Sequence, residues 1–136
     1  MSETVETLEL KRKELFRRLT RLGDFRRGSV SEVRRKCGKK NCACAQPTHP
    51  GHPRYLWSTT RSNKSEALNL RPGPEMEKVV GEVDSYKQFL ELMRELIEVN
   101  EKICQLRPVR QVEDEEELEA LKKKLQRRFA RKRSRK

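Results

Sequence analysis

Three of the four cysteines and both histidines of this chain fall within sixteen residues, "CGKKNCACAQPTHPGH", Cys37 to His52. Cys37, Cys42 and Cys44 read C-x4-C-x-C, and His52 follows after seven intervening residues. Thiolates and an imidazole are the donors that tetrahedral Zn²⁺ takes, and four of them close its coordination sphere. The spacing therefore points to a zinc site made of Cys37, Cys42, Cys44 and one histidine. His49 and His52 compete for the fourth place; His52 stands just before a strand that would anchor it. Gly38 lets the chain turn after the first ligand, and Pro50-Gly51 form a turn between the histidines. Lys36, Lys39 and Lys40 favour the thiolate form of the cysteines beside them. An iron–sulfur centre would need Cys104 as a fourth thiolate, far along the chain on a helical apolar stripe.

A closed metal site leaves no coordination position for water, so catalysis is not expected. His49 has no carboxylate at a spacing that would make it a general base. Neither a phosphate-binding loop nor a dinucleotide fingerprint is present. The acidic start, Met1 to Leu10, reads as a helix without the apolar run of a signal peptide. A cytoplasmic location with reduced cysteines is the expectation, which favours a metal over disulfides. No apolar run reaches the ~18 residues of a membrane span.

Charge is distributed unevenly over the 136 residues, whose formal net charge is +12. Residues 1–22 carry +2, 23–75 carry +7, 76–106 carry −3 and 107–136 carry +6. Cations separated onto an acidic scaffold suggest a polyanion-binding surface. Arg34, Arg35, Lys36, Lys39 and Lys40 surround the cysteine loop, and Arg54, Arg61, Lys64 and Arg71 accompany the strands that follow. Tyr55 and Trp57 alternate along one strand and share a face. Tyr55 is a candidate for stacking bases, whereas Trp57 reads more naturally as core. Arg127, Arg128, Arg131, Lys132, Arg133, Arg135 and Lys136 make a second, sequence-independent clamp. The expected partner is nucleic acid, RNA or DNA. The competing reading is a zinc-stabilised helical scaffold that docks a partner enzyme or dimerises.

The elements that must position these residues follow from periodicity. Residues 1–23 form an amphipathic helix with Val5, Leu8, Leu15, Leu19 and Leu22 on one face, Phe16 widening it and Gly23 placed to end it. Residues 24–72 form a Cys/His β module: a short run with Val30 and Val33, then "RYLWSTT", a turn at "RSNK", and "SEALNL". A sheet this small needs a metal or a helix to be stable. Residues 73–107 form one long helix that begins at Pro74. It carries two apolar rows. Met76, Val79, Val83, Tyr86, Leu90, Met93, Ile97, Asn100 and Cys104 hold heptad spacing, beside Phe89, Leu92, Leu96, Val99 and Ile103. One face is expected to meet the first helix, and the other the sheet or a second copy. Residues 108–136 form a basic helix or tail with a thin stripe of Leu118, Leu121, Leu125 and Phe129, in which Glu119 can pair with Lys123. The expected class is α+β, mainly helical, with a zinc-bound antiparallel sheet inserted between the first and the long helix.

"CGKKNCACA", then "GHPRYLW" and a "PGPE" helix start, resembles a widespread family of small uncharacterised bacterial proteins. Its members read C-G-K-x-x-C-x-C and then G-H-G-P before an aromatic strand. The likeness spans roughly residues 27–106 and implies that His52 is the recurring histidine. It implies no activity; the context it implies is accompaniment of mobile elements. This chain departs from the pattern with "GHP", one residue shorter before the strand.

Overall fold

The computed structural model describes residues 3–134. Its elements run α1 (Val5–Thr20), β1 (Ser29–Arg35), a single 3-10 turn (Ala43–Ala45), β2 (His52–Arg61), β3 (Lys64–Leu70), α2 (Pro74–Leu106) and α3 (Glu115–Ser134). The class is α+β, with a three-stranded antiparallel sheet in the order β1-β2-β3 between α1 and the long α2. The chain divides into two compact units, Met1–Cys104 and Gln105–Lys136. No helix among the described residues is long and apolar enough to cross a membrane.

α1 starts with a capping box: the Thr4 hydroxyl accepts the Thr7 N–H at 3.2 Å, and the Thr4 N–H donates to the Thr7 hydroxyl at 3.0 Å. It does not end on Gly23 as the glycine's position suggests. Helical bonding stops at Thr20, the Arg21 and Leu22 N–H groups make tighter bonds to Arg18 and Leu19, and Gly23 is not left-handed. The β2–β3 hairpin turns through Ser62 and Asn63, both at positive φ (46° and 66°), as a two-residue hairpin loop favours.

Two separate apolar clusters hold the first unit, and α2 contributes to both. Leu8 and Leu15 of α1 bury against Leu92, Leu96, Val99 and Ile103. Trp57 and Leu70 of the sheet bury against Val79 and Val83. The two apolar rows of α2 are thus shared out along its length, not as two faces running its whole extent. The reason is size: 16 residues of α1 cover about 24 Å, whereas the 33 residues of α2 extend about 50 Å. The helices run antiparallel, since Glu3 at the start of α1 lies 3.4 Å from Lys102, and Arg21 and Leu22 at its end lie beside Gln88 and Glu91. Within the seam the Arg12 guanidinium donates to Asn100 Oδ1 at 3.1 Å, which accommodates a cation on the apolar stripe and fixes the register.

Three expectations for side chains fail. Phe16 does not widen the buried stripe but is exposed, and so are Leu90, Ile97 and Cys104 of the heptad row. In α3, Glu119 pairs with Lys122 at 3.4 Å, not with Lys123. α3 is instead capped by Asp114, whose carboxylate accepts the Glu116 N–H at 3.1 Å.

The segment between α1 and β1 pins the sheet to α2. Arg26 ion-pairs with Glu82 at 2.8 Å, lies 5.0 Å above the Trp57 ring, and donates its own N–H to the Glu82 carbonyl. A hydrogen bond from Lys78, with help from Arg26, holds the Glu82 carboxyl below the usual range despite its burial. The Trp57 indole N–H donates to the Arg27 carbonyl at 2.9 Å, so this 8 % exposed ring has its polar edge satisfied.

Candidate metal centre and its basic surround

β1 ends at Arg35, and Cys37 follows two residues later. Gly38 at φ +86° then turns the chain back. Cys42 caps the 3-10 turn that holds Cys44, and His52 is the first residue of β2, paired with Arg35. Sheet register and the short turn thus bring four side chains from distinct local conformations to one place.

Cys37 Sγ lies 3.4 Å from Cys44 Sγ, and Cys42 Sγ lies 3.2 Å from His52 Nε2. All four donor atoms of Cys37, Cys42, Cys44 and His52 lie within 4.8 Å of one another. Thiolates at ~2.3 Å and an imidazole at ~2.0–2.1 Å from a tetrahedral centre would be separated by about 3.5–3.8 Å, so the donor set fits one metal ion. His49 stands apart from it. Its Nδ1 accepts the Gly51 N–H at 2.9 Å, and that bond shapes the turn that delivers His52. Cys104 is exposed on α2 and does not belong to the group.

Cys42 and Cys44 are shifted in opposite directions. Cys42 is lowered from 9.0 to about 6, first by the Cys44 backbone N–H, then by the His52 ring and the sulfurs of Cys44 and Cys37. Cys44 accepts the Cys37 N–H at 3.4 Å, which pulls it down, but its burial and the neighbouring sulfurs outweigh this and raise it. Cys42 is thereby ready as a thiolate near neutrality, and the buried Cys44 would give up its proton on binding a cation.

Gly51 is the hidden requirement of the site. At φ +101°, a Cβ on it would lie 2.7 Å from the Arg35 carbonyl carbon and 2.9 Å from the Arg35 nitrogen. Only glycine lets β2 begin this close to β1 and aim His52 inward. Gly51→Ala is expected to cost about 1–3 kcal/mol and to weaken metal binding, read by thermal melting and metal titration; unchanged values in both would refute this. Pro53 is tolerated in the central strand because β3 ends at Leu70, opposite Tyr55, and leaves one side of β2 unpaired there.

The basic residues fall in several places. Arg35, Lys36, Lys39, Lys40 and Arg54 are exposed around the metal loop. Lys36 donates to the Gln46 carbonyl at 3.0 Å and so also braces the loop. Arg34 is partly engaged by the Gly51 carbonyl at 3.3 Å and by Glu32 at 3.4 Å. Arg71 follows β3 at this same end of the sheet. Arg61 and Lys64 are not part of that group. They pair across the hairpin at the far end of β2, about 30 Å from His52 at ~3.3 Å per residue. Tyr55 is not a free stacking surface: it shares the face of Trp57, as the alternation predicts, and that face packs on α2. Arg127 and Arg128 are exposed on α3, Arg127 donating to the Lys123 carbonyl, and Arg131 stands one turn on. Lys132 and Arg133 continue α3, and Arg135 and Lys136 lie outside the described residues. Sequence reading missed Arg26 and took Gly51 only as a turn residue, because their partners Glu82 and Arg35 are set only by the tertiary fold.

A family model described as a domain of unknown function (DUF6788) matches residues 5–66, just under half of the chain. The match contains α1, β1, the whole metal loop and β2, and stops within β3. No curated protein and no solved structure matches the chain.

Proposed function

We propose that the chain is a small zinc-containing accessory protein that binds nucleic acid, RNA or DNA, in which the metal holds a basic loop in shape and does no chemistry. The observation that carries this reading is the set of exposed cations that flank the four donors along the chain. Arg35, Lys39, Lys40 and Arg54 have no ion-pair partner among the described residues, so their charge is available to an external anion. Three sulfurs and one nitrogen suit zinc better than harder cations, and they complete its tetrahedron with no position left for a substrate or water. The basic residues of α3 would add phosphate contacts from a second unit.

Binding measured against salt tests the reading. With roughly five to eight phosphates neutralised, the log–log slope on duplex DNA is expected at about −4.5 to −7, at ~−0.9 per contact. Lys39→Ala combined with Lys40→Ala should remove about one to two units of slope, equally on unrelated sequences, because phosphate contacts carry no sequence information. Absence of binding to duplex or single strands at low salt would refute it. The scaffold reading is favoured by the open stripe on α2 and would give protein association without nucleic acid.

A further inference from the structure

The heptad row of α2 is only partly used by the fold. Leu90 is 38 % and Ile97 50 % exposed, and Cys104 is exposed beyond them. These three stand seven residues apart, on one side of the helix, and Met93 lies half-buried between the first two. Phe16 of α1, 50 % exposed, lies one turn beyond Arg12, the residue that reaches Asn100 on this same row. The apolar strip thus runs about 21 Å along α2, from Leu90 to Cys104, and widens toward α1.

Charges beside the strip dictate what fits it. Four residues after Leu90 stands Arg94, and four after Ile97 stands Glu101, on the same flank and both exposed. A second α2 laid antiparallel, with a two-fold axis at Ile97, sets Leu90 against Cys104 of the second copy. It also sets Arg94 within about one residue rise of Glu101 of the second copy, and the reverse by symmetry. A parallel copy would instead carry this flank to opposite sides of the seam, so that no Arg94–Glu101 pair spans it. We infer that the chain forms a homodimer through an antiparallel α2–α2 contact centred on Ile97, with reciprocal Arg94–Glu101 pairs. This goes beyond nucleic-acid binding and does not depend on it.

The test is sedimentation of nuclease-treated, full-length protein, freed of nucleic acid in high salt and then measured in moderate salt, so that bound nucleic acid cannot bridge copies and the ion pairs are not screened. A dimer is expected. Ile97→Glu, which places two carboxylates at the two-fold axis, should raise the dimer dissociation constant by at least about tenfold while the helical content stays unchanged. Arg94→Glu should weaken the dimer severalfold, and adding Glu101→Arg to it should restore the affinity. In a Leu90→Cys variant, mild oxidation should join the introduced thiol to Cys104 of the second copy. A monomer up to the solubility limit, a dimer indifferent to Ile97→Glu, or a cross-link between the two introduced thiols would each overturn the proposal.

Discussion

Stripping the metal from the purified protein is expected to unfold the sheet and its ligand loop while α1 stays packed on the distal half of α2. The sheet rests on a cluster of only four buried residues, Trp57, Leu70, Val79 and Val83, and three short strands are marginal without further support. Between β1 and β2 the chain makes one 3-10 turn and otherwise has no regular structure to close it. The free energy of binding a structural zinc, on the order of 10–16 kcal/mol in small zinc modules, would become folding free energy here. Trp57 is the only tryptophan, so its near-ultraviolet signal reports this region alone. That signal should collapse on chelation and return with Zn²⁺. Cys44→Ser should mimic chelation because its sulfur is fully buried, whereas His49→Ala should leave metal binding intact. A Trp57 signal and melting curve unmoved by complete chelation would show that the cluster plays no structural part.

Leu96→Asp should have the second largest effect. Leu96 is 5 % exposed in the seam that joins α2 to Leu8 and Leu15. A carboxylate there replaces a packed apolar side chain and is taken out of water, so the expected loss is about 3–5 kcal/mol, measured by chemical denaturation. Leu10→Asp on the opposite, 69 % exposed side of α1 should cost no more than ~0.5 kcal/mol. Comparable losses in the two variants would mean that the α1–α2 seam is not the core of this unit.

How far the sequence could be read depends on how local each determinant is. Pro74, the Ser62-Asn63 turn and the three-and-four spacing of α1 are local signals, and the structure has the hairpin and both helices where they point. The grouping of Cys37, Cys42, Cys44 and His52 was legible for the same reason, since ligand types and spacing lie within one short loop. The resemblance implies His52 over His49; the physical reason, the pairing of His52 with Arg35 and the bond from Gly51 to His49, lies in the fold. Periodicity named every buried residue of α2 but could not say which row was covered where. The seven-residue spacing of Leu90, Ile97 and Cys104 is the same whether a helix lies over them or not. Likewise, alternation placed Tyr55 and Trp57 on one face, yet only the packing against Val79 and Val83 shows which way that face points.

X-ray absorption at the metal edge, with elemental analysis of the same sample, tests the account at its centre. One zinc per chain is expected, bound by three sulfurs at ~2.3 Å and one imidazole nitrogen at ~2.0–2.1 Å, with no oxygen neighbour. A protein that retains no metal from its own host and takes none up from solution, or a zinc with an open, water-occupied position, would contradict it.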